Sequence, residues 1–317
     1  MRVYTKKSLE FILTWLACLL NFSCRVDEED DLSNLEGRAN NPSAAPKLLA
    51  TVDCDNVSRT LRCLDFKDAP SEPVNPTTDT VHEYIDNVML LQTMSELSYY
   101  DRDVVAEKAK TWGVKRHIFI ERYETTAIMF GWEDRIVVAF RGTEANLRDY
   151  LTDATFLPVN YNGAHIHSGF VTAYSLIAAD IKRTIASWSG GKPVQLWLTG
   201  HSLGGALATV AAFDLSDQVS ALVTFGSPRV GLKSFADRMK HVNLYLRFVY
   251  VKDIITEQPS ASFGYVHASP AVWFNDNCAM SIVNDARSKS ILDKLNPING
   301  FLNHNANNYR SCVGLNK

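Results

Sequence analysis

Apolar and polar positions alternate along this chain at two periods, and the periods divide it into elements. Val81, Tyr84, Ile85, Val88, Leu91, Met94 and Leu97 recur at helical spacing and predict a helix over 81–99. Residues 118–122 and 125–132 read as strands, with a turn at Glu133-Asp134 behind them. The next run, 135–140, is apolar at almost every position, as expected of a strand covered on both faces. Helical spacing returns over 170–188 through Val171, Tyr174, Leu176, Ile177, Ile181 and Ile185, and stops at Gly190-Gly191. An apolar run over 194–198 leads through Thr199-Gly200-His201-Ser202-Leu203-Gly204-Gly205 into a small-residue helix over 206–212. Strands are expected at 219–225 and 245–251, with a helical stretch over 232–241 between them. Strands alternating with helices predict an α/β protein: a largely parallel central sheet with crossovers and helices on both faces.

The N-terminal quarter breaks this pattern. Arg2, Lys6 and Lys7 precede an apolar stretch over 11–20 that is too short to span a bilayer comfortably. Residues 1–24 therefore read as a signal peptide of a secreted protein, cleaved near Ser23 or Cys24; lipid attachment at Cys24 is the alternative. Residues 25–79 hold an acidic run at 27–31 and stretches rich in Pro, Asn, Ser and Thr at 40–46 and 70–80. They read as a loosely ordered, propeptide-like leader. The catalytic domain is expected over 80–317.

Composition narrows the function classes. The 317 residues are 46% hydrophobic with a net charge of −3, which suits one large domain plus processed segments. No basic field interleaved with aromatics is present to hold nucleic acid. No cysteine or histidine spacing points to a metal, and no cofactor is implied. Four of the six cysteines lie beyond the signal region: Cys54, Cys63, Cys278 and Cys312. An even number in an exported chain predicts two disulfides, with three possible pairings. Asn56-Val57-Ser58 is a glycosylation sequon.

The candidate chemistry lies at 200–204. A Gly-x-Ser-x-Gly between a strand and a helix is a nucleophile elbow, which holds Ser202 at a sharp corner and aims the Leu203 N–H at an oxyanion formed there. Serine needs a histidine base oriented by a carboxylate, and in this arrangement the chain order is Ser, Asp or Glu, then His. Asp253 directly follows a predicted strand. Asp214, Asp217 and Asp237 lie in helical or helix-end stretches and read as solvated charges. His304, in the late polar loop 303–307, and His267, only 14 residues past Asp253, both satisfy the order, and the late loop favours His304. His201 reads as structural, pointing away from the corner. A second oxyanion donor is expected from Thr143, after the strand 135–140 and Gly142. Residues 146–154 follow with Leu147, Tyr150, Leu151 and Ala154 on one face of a short amphipathic helix, a candidate lid over the site.

Arg141-Gly142-Thr143, the 146–158 stretch, Ile166-His167-Ser168-Gly169-Phe170, the 200–205 elbow, Phe225-Gly226-Ser227-Pro228-Arg229-Val230-Gly231 and the 247–259 stretch occur in one order. Together they resemble the class 3 lipases, secreted fungal-type triacylglycerol lipases of the α/β-hydrolase fold, over about residues 80–315. The resemblance implies Ser202 as nucleophile, Asp253 as orienting acid, His304 as base, and Thr143 with Leu203 as oxyanion hole. It implies 146–153 as the lid, and a lipid ester at an oil–water or membrane interface as substrate. It further implies that Cys312 ties the C-terminus to the N-terminal region through Cys54 or Cys63, and leaves Cys278 without an evident partner. The chain departs from the family where Asn303 precedes His304 and Asn308-Tyr309 follow it. A soluble-ester or feruloyl-type esterase, a phospholipase, and a non-catalytic lipid-binding relative are the alternative functions.

Overall fold

The computed structural model describes residues 66–142, 157–251, 253–284 and 303–317. Residues 1–65, which hold the expected signal and most of the expected leader, with Cys24, Cys54, Asn56 and Cys63, lie outside the described residues. So do Thr143 and the 146–154 stretch with Leu147, Tyr150 and Leu151.

Eight strands form the central sheet: β1 (Arg116–Arg122), β2 (Thr125–Gly131), β3 (Arg135–Phe140), β6 (Gln195–His201), β7 (Val219–Phe225), β9 (Leu244–Tyr250), β11 (Ala271–Phe274) and β12 (Met280–Val283). Their spatial order is β1-β2-β3-β6-β7-β9-β11-β12. The five central strands, β3 to β11, are parallel, and antiparallel partners close both edges. β2 and β3 are buried at nearly every residue, because helices cover both faces of the sheet there.

Helices supply the cover. On one face α4 (Ser168–Ser189) and α5 (Leu203–Leu215) pack against Val138, Phe140, Leu198 and Leu222. On the other, α2 (Ile85–Leu97), α3 (Arg102–Thr111) and the C-terminal α7 (Ala306–Leu315) pack against Val137, Trp197, Val223 and Phe248. Each fully buried side chain of this kind contributes ~1.5–3 kcal/mol. The α/β-hydrolase architecture read from the sequence is thus present, with local differences. The predicted helix over 81–99 is two helices, α1 (Thr78–Glu83) and α2, divided at Tyr84. The stretch over 232–241 is a one-turn helix, α6 (Lys233–Ala236), followed by a 3-10 turn, Asp237–His241. A second, antiparallel sheet of β4 (Pro158–Tyr161), β5 (Ala164–His167), β8 (Gly231–Leu232) and β10 (Tyr265–Val266), in the order β10-β8-β5-β4, was not anticipated. Packing also begins upstream of Thr80: Phe66 meets Trp197 edge-on at 5.3 Å, and its carbonyl accepts a hydrogen bond from Arg135.

One expectation is overturned. Cys312 pairs with Cys278, and not with Cys54 or Cys63. Cys278 lies in the turn between β11 and β12, and Cys312 lies on α7, which crosses β9 near that edge. Their Cα atoms are 4.8 Å apart, within disulfide reach. The bond thus ties α7 to the sheet edge. Asn316 reinforces it by donating to the carbonyls of Cys278 and Cys312. Replacing both cysteines by serine is expected to lower unfolding stability by about 2–4 kcal/mol, measured by urea denaturation.

Candidate active site

β6 runs into α5 through a single corner residue, Ser202, whose backbone sits at φ 60° and ψ −130°. That conformation is costly for a residue with a Cβ, and surrounding contacts must hold it. The Ser202 N–H donates to the Phe225 carbonyl at 2.9 Å. Gly200 and Gly204 lie so close that a Cβ on either would strike backbone, Gly204 for Gly200 and Phe140 for Gly204. Glycine is therefore required at both positions by space. Leu203 opens α5, so its N–H belongs to the first turn, whose donors have no intrahelical partner. Gly142 is buried against Tyr99 and the His201 carbonyl, which brings the loop after β3 alongside the elbow.

Asp253 follows β9 by three residues and caps a 3-10 turn, Ile254–Glu257. It is 3% exposed. Its Oδ1 accepts from the Ile255 N–H at 3.0 Å, and its Oδ2 meets His304 Nδ1 at 2.8 Å. A carboxylate can only accept, so the shared proton lies on Nδ1, and Nε2 of His304 is left as an acceptor. Gly226, at φ +61°, lies against this pair, within 3.0 Å of both side chains as measured from the position a Cβ would take. His304 Nε2 and Ser202 Oγ are both buried without a hydrogen-bond partner among the described residues, so the two do not bond each other here. Bonds of this kind often tighten only when a substrate is bound.

The two candidate histidines lie in different surroundings. His304 lies on Asp253. His267 Nε2 lies on the Thr256 carbonyl at 2.8 Å, where burial, then Arg247 and Arg229, push its pKa well down. Asp214 is corrected from a solvated charge to a nearly buried one: it accepts from Tyr174 Oη at 2.8 Å and pairs with Lys182 at 2.7 Å. Burial, with Asp214 adding to it, raises the neighbouring Tyr161 hydroxyl to about 12. The His201 ring stacks on that of His304.

Two contributors were not legible in the sequence. Tyr309, fully buried on α7, donates its hydroxyl to Asp253 Oδ2 and accepts from the Tyr250 N–H at 3.2 Å. Burial, then the Asp253 charge, raise its pKa well above normal, so it remains a donor. A tyrosine five residues past the candidate base was the one available sign of it. Tyr309→Phe is expected to lower unfolding stability by about 1.5–3 kcal/mol, the usual contribution of a hydrogen bond to a charged group, read by thermal or urea melts. The second contributor is an ion pair that seats α7 on α2. Arg310 meets Glu96 at 2.8 Å, Gln92 donates to Glu96 at 2.8 Å, and Gln92 also reaches the Ala306 carbonyl at 3.3 Å.

A strained serine between a parallel strand and a helix, with an aspartate–histidine pair brought to it from later loops, defines an α/β-hydrolase site. Residues 137–263 match the family model "Lipase (class 3)". The lipase of Rhizomucor miehei is 31% identical over 199 residues, covering 57% of this chain and 54% of the relative. The secreted mono- and diacylglycerol lipase A of Penicillium cyclopium is 34% identical over 145 residues, covering 44% and 47%. The chain thus spans about half the length of these curated relatives. The solved Rhizomucor miehei lipase propeptide complex superposes with a TM-score of 0.56 at 26% identity, covering 75% of this chain and 83% of that one. Over residues 137–263 the chain is thus similar to the class 3 lipases.

Proposed function

We propose that this chain is a secreted serine hydrolase that cleaves carboxylic esters of lipids, with acylglycerols as substrates. The observation that carries it is the 2.8 Å Asp253–His304 pair beside the buried, strained Ser202. Ser202 Oγ attacks the ester carbonyl while His304 Nε2 takes its proton. The Leu203 N–H, with Thr143, receives the oxyanion. His304 then gives its proton to the departing alcohol, and an acyl group remains on Ser202. Water, deprotonated by the same nitrogen, releases the fatty acid and restores the serine. No metal or cofactor takes part.

Residues 80–317 form the catalytic domain in this reading, 1–24 a signal and 25–79 a leader. The relatives named as lipases, one of them secreted, support export and lipid substrates. No helix among the described residues is long and apolar enough to cross a membrane. The 146–154 stretch acts as a lid whose apolar face, Leu147, Tyr150 and Leu151, turns toward lipid.

Rates on a short-chain triglyceride, measured below and above its solubility limit, test the reading. A steep rise above the limit is expected. Smooth saturation through it would favour a soluble-ester esterase.

A further inference from the structure

One feature of the site is used neither by the reaction nor by the fold's ordinary packing. His201, 3% exposed, lies with its ring flat against His304: the centroids are 4.7 Å apart and the planes 25° from parallel. Its Nδ1 is 3.3 Å from Tyr99 Oη, and the Tyr309 ring meets it edge-on at 5.8 Å. Its Nε2 is buried with no hydrogen-bond partner among the described residues.

A single hydrogen bond at Nδ1 leaves the His304 imidazole free to turn about the Nδ1–Oδ2 line, and that turn swings Nε2 away from Ser202. A flat ring against one face removes this freedom. We infer that His201 is a positioning residue, which holds the plane of the His304 imidazole so that Nε2 stays turned toward Ser202. The inference rests on His304 being the base of the proposed reaction.

Charge agrees with the geometry. Among the described residues, the titratable groups facing His201 are His304, Tyr99 and Tyr309, with Asp253 behind the last. Burial, then the charge of His304, push the His201 pKa well below the ordinary histidine value. His201 therefore stays neutral while His304 is protonated, and the stack survives the step in which the base becomes an imidazolium.

Two measurements on the full chain test this. In imidazole-labelled protein followed by NMR from about pH 5 to 8, the His201 ring should show contacts to the His304 ring and should not titrate. A titrating His201, or the absence of those contacts, would overturn the inference. In ester hydrolysis, His201→Gln, which can still bond Tyr99 but has no ring, should lose about tenfold in kcat at unchanged KM, and His201→Phe should stay within about threefold of the parent. Equal losses in the two variants, or a parental kcat in His201→Gln, would also overturn it. A parent inactive on every ester would remove the proposed reaction, and the NMR contacts would still decide the ring geometry.

Discussion

Ser202→Ala is expected to lower ester hydrolysis by about 10⁶-fold while leaving the protein folded, because loss of the nucleophile removes the whole acyl-transfer route. The expected stability follows from the surroundings of Ser202. Its Oγ has no hydrogen-bond partner among the described residues, so deleting the hydroxyl orphans none of their buried groups. The corner conformation depends on the backbone: the Ser202 N–H bonds Phe225, and its carbonyl accepts from Gly205 and Ala206. Alanine keeps these bonds and meets the same positive φ with the same Cβ. Melting temperature should therefore stay near the parent's as activity disappears. A variant with substantial residual hydrolysis would place the chemistry elsewhere.

Asp253→Asn is the second large effect, a fall of about 10⁴-fold in kcat. Asp253 accepts three hydrogen bonds, from Ile255 N–H on Oδ1 and from His304 Nδ1 and Tyr309 Oη on Oδ2. An amide cannot accept at both ends. With its oxygen toward Ile255, its NH₂ faces the histidine, which must present Nδ1 as an acceptor and so carries its proton on Nε2. The base is then in the wrong tautomer to take the Ser202 proton. With its oxygen toward the histidine, its NH₂ confronts the buried Ile255 N–H. Either arrangement impairs the site. Steady-state kinetics should show the loss in kcat, and retained binding of a substrate-like phosphonic ester should show that the site remains formed.

The elbow was legible because its determinants are local. An apolar strand, two glycines four residues apart and a small-residue helix surround Ser202 within a dozen positions, and the structure realises each of them. Asp253 was legible for the same reason, as the carboxylate just after a strand. The histidine was legible only in part: His267 and His304 satisfy the same chain order, and the position of the late loop was all that favoured His304. Tyr309 reaches Asp253 across 56 residues and His201 reaches its neighbour across the elbow, contacts that no periodicity encodes. Cys312 misled for the same reason: its partner depends on where α7 lies over β9 and the β11–β12 turn. The small antiparallel sheet escaped notice because its strands are two to four residues long, too short to display a period of two.

In the proposed reaction Ser202 is the residue acylated by substrate, and His304, held by Asp253, activates it. The most direct measurement treats the purified protein with a lipid-like fluorophosphonate and maps the modified peptide by mass spectrometry, in the parent and in His304→Ala. One phosphonyl group on Ser202 in the parent, and a labelling rate lower by several orders of magnitude in the variant, is the predicted result. An adduct on another residue, or a variant that labels at the parental rate, would contradict it.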